Sequence, residues 1–203
     1  MSPFQAEATP QRRFEHLVKV MSSERFLSMR GLGKELPFFI CPFPAEEAVE
    51  MRRQQAQLVN QLSNRGLSVL QIDLYDLSIE LLMERGIWRE VLAAEEGVTK
   101  DEFKELLQGV LDPEHHLVPL IGHKIKAAKL DLVIISGVSE IFPYIRSHNV
   151  LNNLQRVAGH LPTVMFFPGT YTHKLATGAS LDLFGRLHDD KYYRAFNIFH
   201  YEV

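Results

Sequence analysis

Four compact apolar runs constrain the fold more than any other feature: PFFICPF (37–43), LSVLQIDLY (67–75), LDLVIIS (130–136) and LPTVMFFPG (161–169). Each has strand length, and each is apolar almost throughout, as expected of strands covered on both faces. Helical segments separate them. A strand that must return parallel to its predecessor needs such a crossover, and the crossover is right-handed. A Gly- and Thr-rich loop is read after the fourth run, and the end, YYRAFNIFHYEV, is read as a fifth strand. The expectation is one α/β domain over residues 1–203, with a mostly parallel sheet of about five strands flanked by helices. That places it among Rossmann-like or degenerate P-loop-like folds without a Walker A loop, and residues 1–12 are read as a flexible arm.

Local signals set the helices. A short helix is read from Phe14 to Met21. Pro44 suits a first helical turn, with Glu46 and Glu47 complementing the dipole. Ala48, Met51, Leu58 and Leu62 then recur at helical spacing. Asp76 is read as the cap of LSIELLMERG. Thr99 and Glu102 spell a capping box ahead of the stripe Phe103, Leu106, Leu107 and Val110. PLIGHKIKAAK is one more helix, feeding the third strand.

Composition removes whole classes of function. The chain is 46% hydrophobic and 23% charged, with a formal net charge of −3. No global basic field draws it to nucleic acid or anionic lipid. A single cysteine, Cys41, cannot form an internal disulfide and fits a reducing compartment. No apolar run has membrane-spanning length, and MSPFQAEATPQRRF lacks the apolar core of a secretory signal. The cytoplasm is the expected location.

Catalytic patterns fail one by one. The first strand runs into CPFPAEE, where prolines lack N–H groups and glutamates repel phosphate, so it cannot be a Walker loop. The echo Gly31-Leu32-Gly33-Lys34 precedes a strand and lacks the Ser or Thr. The histidines form no H-E-x-x-H pattern, and His115 and His116 are adjacent, as in a surface loop. Gly137-Val138-Ser139 is no nucleophile elbow, because Ile141 stands where glycine is needed. Cys41 sits in an apolar run and reads as inert. Glu102-Phe103-Lys104 has the local spelling of a nuclease site but lies in the capped helix. No metal and no cofactor is expected.

Polar residues nevertheless gather at the strand ends, where open parallel sheets bind ligands. Asp73, Glu140 and Arg146 are the candidates for a nucleotide or phosphate site there. The richest stretch is SGVSEIFPYIRSHNVLNNL (136–154). On a helical wheel Val150, Leu151, Leu154, Val157 and Ala158 share one side. Ile145, Asn149, Asn152 and Arg156 lie opposite, flanked by Arg146 and Asn153. This outer face is either a solvated face or a partner-binding surface, since Asn and Arg donate hydrogen bonds without a proton equilibrium. Tyr171, in FFPGTY, and Tyr192, Tyr193 and Arg194, in YYRAF, are further contact candidates, rich in the types that dominate interface hot spots. Core packing is the competing reading of YYRAF.

IFPYIRSHNVLNNL, PTVMFFPGTY and LFGRLHDDKYYRAFNI, in that order and spacing, resemble the BrxB family of bacterial BREX phage-defence systems. ERFLS, GLGKELPFFI and LQIDLYDLSIELL are similar to the same family, so the resemblance spans roughly residues 24 to 200. The family often carries glycine where this chain has Ser139. The resemblance implies a role in a system that marks host DNA by adenine methylation and blocks unmarked phage DNA. It implies no catalytic activity and partners among other BREX components: above all the phosphatase-like PglZ, with the methyltransferase PglX and the ATPase BrxC nearby.

Overall fold

A computed structural model describes residues 9–30, 37–174, 178–190 and 195–202. Five parallel strands lie side by side in the order β2-β3-β4-β1-β7. They are β1 (Phe38–Phe43), β2 (Val69–Asp73), β3 (Leu132–Ser136), β4 (Thr163–Lys174) and the two-residue β7 (Phe196–Asn197). The α/β class and the mostly parallel sheet thus stand as the apolar runs required.

Burial explains the apolar strands. Every residue of β1 and of β3 is buried. On one face, α1 (Pro10–Met21), α2 (Glu24–Leu27) and α3 (Ala48–Asn64) pack through Phe14, Phe26, Leu58 and Leu62 onto Phe39, Ile134 and Phe166. The other face carries α4 (Leu74–Glu84), α5 (Trp88–Gly97), α6 (Lys100–Val110), α7 (Val118–Lys126), α8 (Val138–Ile141) and α9 (Ser147–Ala158). Leu74, Leu117, Ile121 and Leu154 anchor that second core on Ile40, Ile135 and Phe167.

Several sequence readings need correction. The first helix begins at Pro10 with Thr9 as its cap, so residues 10–12 are helical rather than part of an arm. Asp73, not Asp76, caps α4. The Thr99–Glu102 capping box forms as read. The fifth strand shrinks to Phe196–Asn197, and a 3-10 turn over Ile198–His200 follows it.

The largest departure follows the fourth strand. β4 does not stop at Pro168-Gly169 but runs on to Lys174 and pairs antiparallel with β5 (Gly178–Leu183), which pairs with β6 (Leu187–Asp190). A β-carbon on Gly169 would collide with the Asp182 carbonyl oxygen, so only glycine lets β4 pass so close to β5. The Gly- and Thr-rich segment read as a loop is therefore a hairpin.

Candidate functional site

Three places combine exposure with chemistry. The first is the polar cluster at the strand ends. The Asp73 carboxylate accepts from the Tyr75 and Asp76 N–H groups at 2.9 and 3.3 Å and from the Ser136 hydroxyl at 3.1 Å. Gly137, at φ +77°, brings the start of α8 against it; a β-carbon there would strike Asp73 Oδ1 and lie 2.7 Å from the Leu74 nitrogen. Glu140 accepts from Arg52 at 2.6 Å and from the Ser139 hydroxyl at 2.7 Å. Burial alone would raise the Glu140 carboxyl. Bonds from Ser139, its own N–H and Arg52 outweigh this and hold it below the usual carboxylate range. The crevice over the ends of β1, β2 and β3, beside Phe166 and Pro168 of β4, has a volume of about 30 Å³, room for roughly one water.

Where phosphate would sit in a P-loop, Pro44 leads into a 3-10 turn over Ala45–Glu47. Glu47 is ion-paired at 2.6 Å with Arg13, whose side chain is almost fully buried. Cys41 is buried, and that burial pushes its thiol far up, away from the thiolate form.

The second place is the outer face of α9 with the neighbouring hairpin tip. Arg146 precedes the helix, and its guanidinium lies 5.8 Å from the centroid of the Phe142 ring. Asn149 and Asn152 are exposed. Arg156 pairs with Glu114 at 2.7 Å. Asn153 is half-buried, and its side-chain amide donates to the Asn149 carbonyl. Phe142, Arg146, Leu183 and Leu187 line one shallow crevice. Beside it, in the β5–β6 turn, Phe184 is 40% exposed at φ +56°, a conformation unfavourable for a bulky residue. The third place is a cleft of about 550 Å³ along the free edge of β2, between α3 and α4.

Known proteins decide the family. The family described as "BREX protein BrxB" matches residues 70–198. The chain belongs to the BrxB family. A Bacillus cereus (strain H3081.97) protein of that description is 31% identical over 190 residues, covering 92% of this chain and 95% of the relative. One from Escherichia coli O9:H4 (strain HS) is 29% identical over 186 residues, covering 92% and 90%. No solved structure matches. The BrxB match runs from β2 to the turn after β7 and takes in the whole α9–hairpin surface, whereas Arg52 and Gln55 of α3, which border the other two places, lie before it.

Not every residue singled out in the sequence lands where its role requires. Ile145 is buried in the core, contrary to its place on the outward face, because α9 begins at Ser147 and a wheel extended back through Ile145 loses its meaning. Tyr171 is buried and donates to the Ala195 carbonyl at 2.6 Å, with burial pushing its hydroxyl up to about 12. It packs instead of protruding. Arg146 does not join Asp73 and Glu140: those two border the edge cleft, while Arg146 lines the crevice at the hairpin. Tyr192, Tyr193 and Arg194 lie outside the described residues, as does Gly31-Leu32-Gly33-Lys34. Phe184 and Leu187 were missed because a segment read as loop offers no face on which to place them. The alternation of Leu181 and Leu183 in SLDLFGRL, around Gly185, was the available hairpin signal.

Among the described residues, no three His, Cys, Asp or Glu side chains are grouped to hold a metal. No helix among them is long and apolar enough to cross a membrane.

Proposed function

We propose that this chain is a non-catalytic interaction subunit of a bacterial BREX phage-defence complex, acting in the cytoplasm. It docks PglZ, with PglX and BrxC as neighbours, and so supports host DNA methylation and phage restriction. The observation that carries this reading is the surface running from the hairpin tip onto α9. Phe184 stands exposed at a costly backbone angle, beside the crevice of Phe142, Arg146 and Leu187, and the amides of Asn149 and Asn152 continue the surface. Aromatic and arginine anchors rimmed by amides are the composition of a binding hot spot. A strained residue retained at the surface points the same way.

The test is co-purification and titration with PglZ. Phe184→Asp combined with Arg146→Glu weakens binding by roughly a hundredfold or more, as expected when hot-spot anchors are lost. Circular dichroism of the variant stays that of the parent. Unchanged affinity in a folded double variant overturns the choice of surface.

A further inference from the structure

The edge of β2 that faces away from β3 lies apart from the α9–hairpin surface. Among the described residues, β2 pairs with β3 alone. The direction of its backbone groups follows from the neighbouring ladder. Val133 donates its N–H to the Pro162 carbonyl at 2.9 Å, on the β4 side. Backbone groups alternate along a strand, so Leu132, Ile134 and Ser136 turn toward β2. With Leu70 opposite Val133 and Ile72 opposite Ile135, Leu70 and Ile72 meet them. Val69 and Gln71 therefore aim both N–H and C=O away from the sheet.

Natural edges are blunted by Pro, by Lys or by a covering element. The strand VLQID carries neither residue, and its edge opens into the cleft of about 550 Å³. Arg52 and Gln55 of α3 form one wall; Tyr75, Leu77 and Glu80 of α4 form the other. An added strand would send alternate side chains to each wall. Tyr75 is 47% exposed and offers an aromatic surface. The cleft holds four carboxylates, Asp73, Asp76, Glu80 and Glu140, against two cations, Arg52 and Lys124. Arg52 is paired with Glu140 and Lys124 with Glu80, while Asp73 is bound to Ser136 and two backbone N–H groups. Asp76 is exposed, and its carboxylate has no ion-pair partner among the described residues.

We propose that the β2 edge binds an extended segment of a partner protein by strand addition, and that this segment carries a lysine or arginine for Asp76. Main-chain bonds to Val69 and Gln71 supply the affinity, and the negative cleft selects the basic side chain.

A displayed library of random heptapeptides, selected on the full chain, tests this. Enriched peptides contain Lys or Arg amid β-branched residues and lack proline. Synthetic copies, titrated by fluorescence anisotropy, bind Gln71→Pro at least tenfold more weakly. That substitution removes a donor facing the cleft and no ladder bond, so the variant keeps the parent's cooperative unfolding. Asp76→Lys, at an exposed position, weakens the same peptides comparably. On saturation the Val69 and Gln71 amides, which exchange fast in the free protein, become protected. Failure to enrich any peptide, equal binding by both variants, or protection confined to other amides overturns the proposal. A Gln71→Pro chain that cannot fold refutes the assigned backbone direction.

Discussion

Gly137 shows how much one residue without a β-carbon can organise. Its left-handed φ ends β3 abruptly, and its bare Cα lets the Asp73 carboxylate cap α4 while also accepting from Ser136. An alanine would both strain the backbone and displace a carboxylate that satisfies two helix N–H groups. Gly137→Ala is therefore expected to destabilise the protein by about 2–3 kcal/mol, read from the midpoint of urea unfolding. Asp73 itself was legible only in part. The sequence reading places the cap at Asp76, three residues further on. The choice depends on the strand ending at Asp73, whose extended backbone sets its side chain beside the first helical turn.

Among the elements, α9 meets the body of the molecule mainly through α7. The crossing is close because Gly122 of α7 faces Val157, whose Cγ1 would lie 2.9 Å from any β-carbon added there. Gly122→Leu forces α9 outward. Overpacking of this kind costs about 1–3 kcal/mol. If α9 carries the docking surface, binding to PglZ weakens with it. Thermal unfolding measures the first effect, and titration with PglZ the second. The helical wheel found the core stripe of α9, since Val150, Leu151, Leu154 and Ala158 are buried and Val157 packs half-buried against the same core. It failed at Ile145 because periodicity cannot say where a helix starts when no side chain caps it; Arg146 at that position makes no capping bond. The hairpin of β5 and β6 failed for the opposite reason. Its pairing partner is the far half of β4, a strand that had already been read as complete.

For the molecule as a whole, the sheet divides the interior into two cores, one under α1 and α3 and the other under α4 to α9. They share the same strands, so neither can melt alone. Ile198, fully buried in the first core, sits far along the chain from Trp88, which packs against the second. Ile198→Ala should cost about 2–4 kcal/mol. The loss should appear equally in Trp88 fluorescence and in far-ultraviolet circular dichroism, with both transitions still coincident. Separated transitions would mean that the two faces fold independently. The sequence by itself determined the class of fold, because apolar runs of strand length alternating with helical segments have only a covered parallel sheet in which to hide. It also determined the capping box and the family, which rest on local spelling. Only the tertiary structure decided which strand lies at the edge, which aspartate caps, and that Phe184 protrudes while Ile145 and Tyr171 are buried. Those facts depend on partners distant in the chain: Val133 on Pro162, Gly137 on Asp73, and Gly169 on Asp182. Pattern within a segment cannot specify the neighbour that segment will meet.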